Sequence, residues 1–403
     1  MRKFVPDLVF PFALFILGVH LPCAAAAEEA AGTFEWSTLP PLPPASNEVK
    51  QFGLAGPFVG THNDSLLVAG GANFPLRKAW LGGQKVWWDD VYVLGKDDVG
   101  KPNETWFTSP RLDLPQPAAY GVSISTDKGL LCIGGRDGKR CHSDVYRLQW
   151  DPKEKRIIIH QLPKLPRPLA NMAGAKVGDV VYLAGGEETI GGEATKNFWA
   201  INLAEENKKD GDFIWKELPA WPGPPRVLPV AAAQNDGRND CFFLFSGRLP
   251  KPDQPTELLV DSYKYDPKGK TWTQLADVSS GDGEPLCVMA GIGTTAGVAH
   301  VMIFGGADGH RFLEIEELNA RIASLKKEAV ENNGSKPAEL AELQEEHRRF
   351  HEEHTGFSSD VLGYHTITNT WTKLSRLKKP FPVTSQAVEW NLSLEGDKEL
   401  RYV

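Results

Sequence analysis

The stretch Leu67-Val68-Ala69-Gly70-Gly71 decides the fold, because its pattern of an apolar run ended by two glycines returns along the whole chain. A short hydrophobic run predicts a β-strand, and glycines end it because they adopt the positive φ of tight turns. The later copies are Leu131-Cys132-Ile133-Gly134-Gly135, Tyr182-Leu183-Ala184-Gly185-Gly186, Phe243-Leu244-Phe245-Ser246-Gly247, in which a serine replaces the first glycine, and Met302-Ile303-Phe304-Gly305-Gly306. The chain is therefore built from repeats of one β unit.

Two further landmarks follow the glycine pairs. A segment that starts with Asp opens a third strand at 90–92, 144–146, 261–263 and 360–362. A Trp-x-x-Leu segment marks a fourth strand at 215–218, 272–275 and 371–374, with Trp106 as a looser copy. A period of roughly 50 residues with these landmarks is typical of kelch repeats, in which each repeat forms one four-stranded blade of a β-propeller.

The two ends of the chain carry the halves of one more blade. Trp36-Ser37-Thr38-Leu39 reads as a fourth strand without a glycine pair before it, and residues 382–390 read as a first strand without one after it. Sharing a blade between the ends closes the ring and leaves no sheet edge exposed. We therefore expect an all-β, six-bladed kelch-type propeller over residues 28–403. Because Val403 comes where the second strand of the shared blade would begin, we expect this last blade to be truncated.

Composition supports a strand-rich protein and argues against a nucleic-acid partner. The 39 glycines and 30 prolines suit many short strands joined by turns. The net charge of −8 is the opposite of the clustered basic surface that nucleic acid requires.

The first 27 residues have the pattern of a signal peptide. Arg2 and Lys3 precede an interrupted apolar core, and residues 24–27 are four small alanines suited to cleavage. The apolar core is too short and too interrupted by proline to span a bilayer. We expect export to the periplasm or the medium. A lipoprotein reading at Cys23 is less favoured, because Pro22 is a poor small residue at the preceding position.

Cysteine pairing stays open at this point. Cys132 and Cys141 flank a tight turn and could form a disulfide across adjacent strands in an oxidising compartment. The alternative is that they are separate buried thiols.

Residues 312–355 break the β pattern within the fifth repeat. Ile315, Leu318, Ile322 and Leu325 have helical spacing, and a second helix is expected from about residue 337. This helical insert is either a lid over one face of the propeller or a solvated surface feature.

Three histidines share one face of that second helix. His347, His351 and His354 are spaced by four and three residues, but they alternate with glutamates and arginines and lack the His-Glu-x-x-His pattern. A solvated face is therefore favoured over a metal site, and no metal is expected.

The loops that converge on the central channel carry the candidate site. Residues just after the glycine pairs and at the start of each first strand point toward a common cavity. Arginines there suit a carboxylate ligand, because the guanidinium can bind both oxygens. For each residue alone, a turn hydrogen bond or an ion pair between blades is the plainer reading. The set is Asn73, Arg136, Glu187, Arg248, Asp308, Tyr120, Asn171 and Arg226.

Several blocks resemble the sialic acid mutarotases, also called N-acetylneuraminate epimerases. These blocks are residues 52–60 (FGLAGPFVG), 66–74 (LLVAGGANF), 119–123, 222–226 and 289–291. Their order is rotated relative to the best-known members, as in the cyclically permuted branch. A ring of equivalent blades tolerates such rotation because its termini meet.

The resemblance implies an exported enzyme that speeds the interconversion of the α and β anomers of free N-acetylneuraminate. General acid and base groups are enough for ring opening, so no redox cofactor or metal is implied. The family's catalytic glutamate and arginine belong to a block expected beyond Val403, so they are not carried over. Glu187 imitates that block from another blade and is a weak catalytic candidate. Arg226, Asn73, Tyr120 and Arg136 are the expected substrate-binding residues.

Two other classes of function stay open. A kelch propeller can bind a protein or glycan without catalysis. A copper oxidase on a similar propeller is disfavoured, because the sequence places no cluster of tyrosines, histidines and cysteine near the glycine loops.

Overall fold

The computed structural model of the protein describes residues 34, 36–46, 48–108, 111–208, 212–252, 254–331 and 337–390. The chain divides into two units, Met1–Ser37 and Thr38–Val403. In the first unit the rings of Phe34 and Trp36 stack with centroids 5.9 Å apart. The predicted signal peptide and the predicted break in the last blade, after residue 390, lie outside the described residues.

In the second unit the strands form an all-β propeller, and the described residues supply five blades, one for each glycine pair. Blade 1 is β1 Phe58–His62, β2 Ser65–Ala69 and β5 Val91–Leu94, with the small hairpin β3 Ala72–Asn73 and β4 Val86–Trp87 between β2 and β5. Blade 2 is β6 Val122–Thr126, β7 Gly129–Ile133, β8 Val145–Asp151 and β9 Arg156–Gln161. Blade 3 is β10 Ala170–Val177, β11 Val180–Glu187, β12 Phe198–Asn202 and β13 Lys216–Glu217.

Blades 4 and 5 complete the described sheets, and all strand pairs are antiparallel. Blade 4 is β14 Val230–Asn235, β15 Asp240–Lys251, β16 Gln254–Asp266 and β17 Thr271–Gln274. Blade 5 is β18 Ile292–Ala296, β19 His300–Phe304, β20 Asp360–His365 and β21 Thr370–Arg376. Short 3-10 turns lie at Ala79–Leu81 and Leu203–Glu205.

The hydrophobic core lies between neighbouring blades. Every residue of β2 and of β7 is buried, because each second strand is covered on both faces. Leu67 and Val93 of blade 1 pack with Leu130 and Leu148 of blade 2 in one cluster. Apolar side chains on both faces of a strand therefore tie each blade to the next.

The glycine pairs are needed where the next blade approaches. Gly134 and Gly135 have φ of 60° and 89°, and the Gly135 N–H donates to the carbonyl of Leu169 at 2.8 Å. A Cβ on Gly134 would lie 2.6 Å from that carbonyl oxygen. Any larger residue would therefore push blade 3 away from blade 2.

A closed ring of backbone hydrogen bonds runs around the centre of the propeller. Each member has φ between 55° and 64° and donates its N–H to the carbonyl of the preceding member, at 2.8 to 3.0 Å. The Gly56 N–H donates to Thr384, which closes the circle. Five members belong to the five blades, and Thr384 supplies the sixth position. The ring residues are Gly56, Tyr120, Asn171, Leu228, Ala290 and Thr384.

Fourth-strand tryptophans form a second set of links between blades. Trp215 donates its indole N–H to the Pro163 carbonyl, and Trp272 donates to Pro219, both at the end of the preceding blade. Trp106 of blade 1 donates in the same way to Pro40, at 2.9 Å. Pro40, next to the predicted fourth strand at 36–39, thus takes the position of a preceding blade's end.

Two helices lie between β19 and β20. Helix α1 spans His310–Glu331 and helix α2 spans Pro337–Glu352, so the first begins two residues before the predicted segment. The two helices pack against each other, with Leu318 and Leu343 buried. In the described part of the chain, no helix combines the length and apolar character needed to cross a bilayer.

The ring predicts a specific weakness at Gly56. A Cβ there would lie 2.6 Å from the backbone nitrogen of Tyr120, at φ +64°, so Gly56→Ala combines left-handed strain with a backbone clash. We expect about 3 kcal/mol of destabilisation, measured by denaturant unfolding.

Gly178→Ala is the matched control, because Gly178 has φ +57° and a Cβ there would meet nothing within 4 Å. We expect about 1 kcal/mol for this change, from left-handed strain alone. Equal losses in the two variants would contradict the importance of the ring.

Candidate active site

The residues after the glycine pairs lie beside the hydrogen-bonded ring. Arg136 pairs with Ala119, and Arg248 pairs with Val227, in each case next to a ring residue. Glu187 pairs with Ala170 in the same position of blade 3. Ring residues Tyr120 and Asn171 line the central cavity, and the three charged residues pair with the positions just before ring residues. We call Tyr120, Arg136, Asn171, Glu187 and Arg248 the mouth.

Two of the predicted cavity residues hold a carboxylate at the mouth. The Asn171 side-chain N–H donates to Glu187 Oε1 at 2.8 Å, and Arg136 Nη1 lies 3.6 Å from the same oxygen. The Glu187 side chain is only 8% exposed. A carboxylate held by an amide and a guanidinium, with its second oxygen making no hydrogen bond among the described residues, is suited to accept a proton from a ligand.

Arg248 contacts the helical insert beside the ring. Its guanidinium lies 4.1 Å from the centroid of the Phe312 ring in α1, and its Nε is buried without a hydrogen-bond partner in the described chain. Burial lowers the pKa of Arg248, while the carboxylates of Glu316 and Glu187 act against that shift. The side chain stays charged and has donors available for an anionic ligand.

Lys85 joins the mouth from the β3–β4 hairpin, and the sequence patterns did not indicate it. Its ammonium donates to the Tyr120 hydroxyl and lies 4.7 Å from the Tyr120 ring centroid. Burial, followed by the charge of Arg136, lowers the pKa of Lys85 to about 8. The available signal was the aromatic pattern around the hairpin, Phe74 before the lysine and Trp87 after it.

The helices contact two blades that are distant in the chain. Glu316 of α1 accepts hydrogen bonds from the backbone and hydroxyl of Thr256 in blade 4, at 3.2 and 2.8 Å. His351 of α2 stacks on Trp80 of blade 1, with ring centroids 5.1 Å apart. Contacts on both sides favour the lid interpretation over a solvated surface feature.

Other predicted residues have structural partners. Arg226 is fully buried and donates to Asp261 at 2.7 Å and to the Ser246 carbonyl at 2.9 Å, so its guanidinium is held by protein groups, and its role in substrate binding stays a prediction. The Asn73 side chain donates a hydrogen bond to the Gly53 carbonyl and accepts one from the Trp88 indole N–H. Asp308 accepts from the His310 N–H at the start of α1. Sequence position put these residues near the mouth but could not give their partners.

The cysteines and histidines take no part in a ligand cluster among the described residues. Cys132, Cys141, Cys241 and Cys287 are free and buried, so separate thiols replace the disulfide alternative. No group of three or more His, Cys, Asp or Glu side chains in the described chain is arranged to hold a metal.

Comparison with known proteins identifies the family. The sequence profile of N-acetylneuraminate epimerase matches residues 20–158 and 162–391. The chain belongs to the N-acetylneuraminate epimerase family. The predicted resemblance is confirmed.

Individual relatives match over shorter stretches. N-acetylneuraminate epimerase of Brucella suis is 37% identical over 148 residues, which are 34% of this chain and 35% of the relative. That of Pasteurella multocida is 27% identical over 227 residues, 56% of this chain and 50% of the relative. The chain thus spans about a third to a half of the length of these relatives. The solved structure of YjhT shares the fold, with a TM-score of 0.54 at 16% identity over 88% of this chain and 89% of that one.

The contact between α2 and blade 1 is predicted to weaken in acid. Burial lowers the pKa of His351 below 6.5, and His347, His354 and Arg311 add to this shift. The neutral ring is therefore favoured in the folded state, and this stabilisation is lost as the pH falls through the lowered pKa. Hydrogen exchange of residues 337–352, corrected for intrinsic rates, should speed up between about pH 7.5 and about pH 5.

His351→Phe is the control for that measurement, because phenylalanine keeps a ring against Trp80 and does not titrate. The acid effect should shrink in this variant. An undiminished acid effect would show that His351 is not its source.

Proposed function

We propose that this protein interconverts the α and β anomers of free N-acetylneuraminate. Family membership supports this substrate, and the observation that carries the chemistry is the buried carboxylate of Glu187 between Arg136 and Asn171. The carboxyl group of the sugar acid would bind the guanidinium groups of Arg136 and Arg248, in the geometry that arginine offers to carboxylates.

Glu187 is the proposed general base. It takes the proton of the anomeric hydroxyl while the bond between the anomeric carbon and the ring oxygen breaks, and the ring oxygen receives a proton from an acid. Rotation of the opened chain and reclosure on the other face of the carbonyl then give the other anomer. Every atom is retained, so acid and base groups suffice.

We infer that the shared blade predicted from the sequence completes a sixth sheet. Three hydrogen bonds support it. The Thr384 N–H donates to the Ala290 carbonyl, the Gly56 N–H donates to the Thr384 carbonyl, and the Trp106 indole donates to the Pro40 carbonyl. Val388 and Trp390 also pack in one cluster with Leu39 and Leu42. Export through residues 1–27 is likewise proposed, on the charged, apolar and small-residue pattern of that segment.

The test is anomer exchange followed by NMR after pure α-anomer is added to the purified protein. The protein should accelerate exchange above buffer. Glu187→Gln should slow the catalysed rate by about a hundredfold or more, because glutamine keeps the hydrogen bond from Asn171 but cannot accept the proton.

Glu193→Gln is the matched control, since Glu193 is exposed in the same connection after β11. It should retain the full rate. Binding of the sugar acid without acceleration by the unaltered protein would instead favour a propeller that binds a glycan without catalysis.

A further inference from the structure

The β3–β4 hairpin places an amine in an unusual environment at the mouth. The Lys85 ammonium lies 5.6 Å from the Phe74 ring centroid and 5.7 Å from that of Trp87, in addition to Tyr120. No carboxylate forms an ion pair with it among the described residues, and the Tyr120 hydroxyl is its hydrogen-bond partner. A lysine that only makes a protein soluble keeps its ammonium group in water. The Lys85 ammonium lies among aromatic rings instead, which indicates a functional role.

Burial and a neighbouring guanidinium make the Lys85 ammonium lose its proton more readily than an exposed lysine does. Burial is the larger cause and the Arg136 guanidinium the second, and together they lower the pKa of Lys85 to about 8. A group with a pKa near the working pH exchanges protons efficiently, because both of its forms are accessible. Its aromatic neighbours stabilise the ammonium form without fixing it in an ion pair.

Lys85 and the proposed base, Glu187, are linked through shared neighbouring residues. Tyr120, its partner, is a ring residue that lines the cavity, and the next ring residue, Asn171, holds Glu187. Arg136 contacts both sides, since its guanidinium lies 5.7 Å from the Trp87 ring centroid and 3.6 Å from Glu187 Oε1. Arg136 thus lies next to both the Glu187 carboxylate and the aromatic residues around the Lys85 ammonium.

We propose that Lys85 is the general acid of ring opening, an inference that rests on the proposed function. Its ammonium donates a proton to the ring oxygen as the bond from the anomeric carbon breaks and the electron pair moves to that oxygen. Glu187 receives the proton of the anomeric hydroxyl in the same step, and a carbonyl forms. On reclosure the neutral amine recovers the proton from the attacking hydroxyl, and Glu187 returns the other, so protons balance over the cycle.

The experiment compares the pH dependence of kcat/KM for anomer exchange in the unaltered protein, in Lys85→Arg and in Lys85→Met. The unaltered protein should lose activity as the pH rises above about 8, because the acid form is the protonated amine. Lys85→Arg keeps the positive charge but cannot release a proton, and its rate should fall about a hundredfold, as should that of Lys85→Met. The residual activity of both variants should lack the alkaline limb.

Lys268→Met is the control, because Lys268 is exposed in the turn between β16 and β17. It should match the unaltered protein in rate and pH profile. Thermal unfolding and saturation-transfer NMR with the sugar acid verify that each variant is folded and binds.

The outcomes separate the two proposals. Acceleration by the unaltered protein together with a fully active Lys85→Arg would overturn the role of Lys85 and leave the proposed function intact. Loss of rate in Lys85→Arg with the alkaline limb unchanged would also overturn it, because a charge or packing role would then suffice. No acceleration by the unaltered protein would overturn both proposals.

Discussion

Six backbone hydrogen bonds, each from a residue with positive φ, hold the inner ends of the blades in one circle. Left-handed backbone costs free energy for Tyr120, Asn171 and Leu228, which are not glycines, so the circle persists because the packed blades impose it. The ring also determines which charged side chains lie close together. A strained residue at the start of each first strand lies beside the residue that follows a glycine pair, and this pairing brings Arg136, Glu187 and Arg248 near one another.

The mouth combines groups from separate blades that no local stretch of sequence contains. Glu187 comes from blade 3, its guanidinium neighbour Arg136 from blade 2 and Lys85 from the hairpin of blade 1. The helices inserted in blade 5 contact Arg248 of the mouth and also Trp80 and Thr256 on two other blades. Low exposure strengthens the electrostatic interactions among these groups, since water screens them less. Burial also explains why the Lys85 amine is poised to exchange a proton.

The repeat landmarks predicted the strands and the order of the blades, because apolar runs and glycine pairs are local signals. Helical spacing likewise predicted α1 and α2 to within a few residues. Side-chain partners were not predictable in this way. Arg136 follows a glycine pair and Arg226 precedes a first strand, and both positions predicted a side chain at the cavity, yet Arg226 is buried against Asp261, whereas Arg136 contacts Glu187. Lys85 was missed because its environment comes from burial, from Arg136 and from Tyr120, which lies 35 residues later in the chain.

Native-state hydrogen exchange at the six ring amides, Gly56, Tyr120, Asn171, Leu228, Ala290 and Thr384, tests the central claim most directly. If the circle is closed, all six N–H groups should exchange slowly and with one shared opening free energy, close to that of global unfolding. Fast exchange at Gly56 and Thr384, with protection at the other four, would mean that the ring is open between the fifth blade and the first. That result would contradict the account.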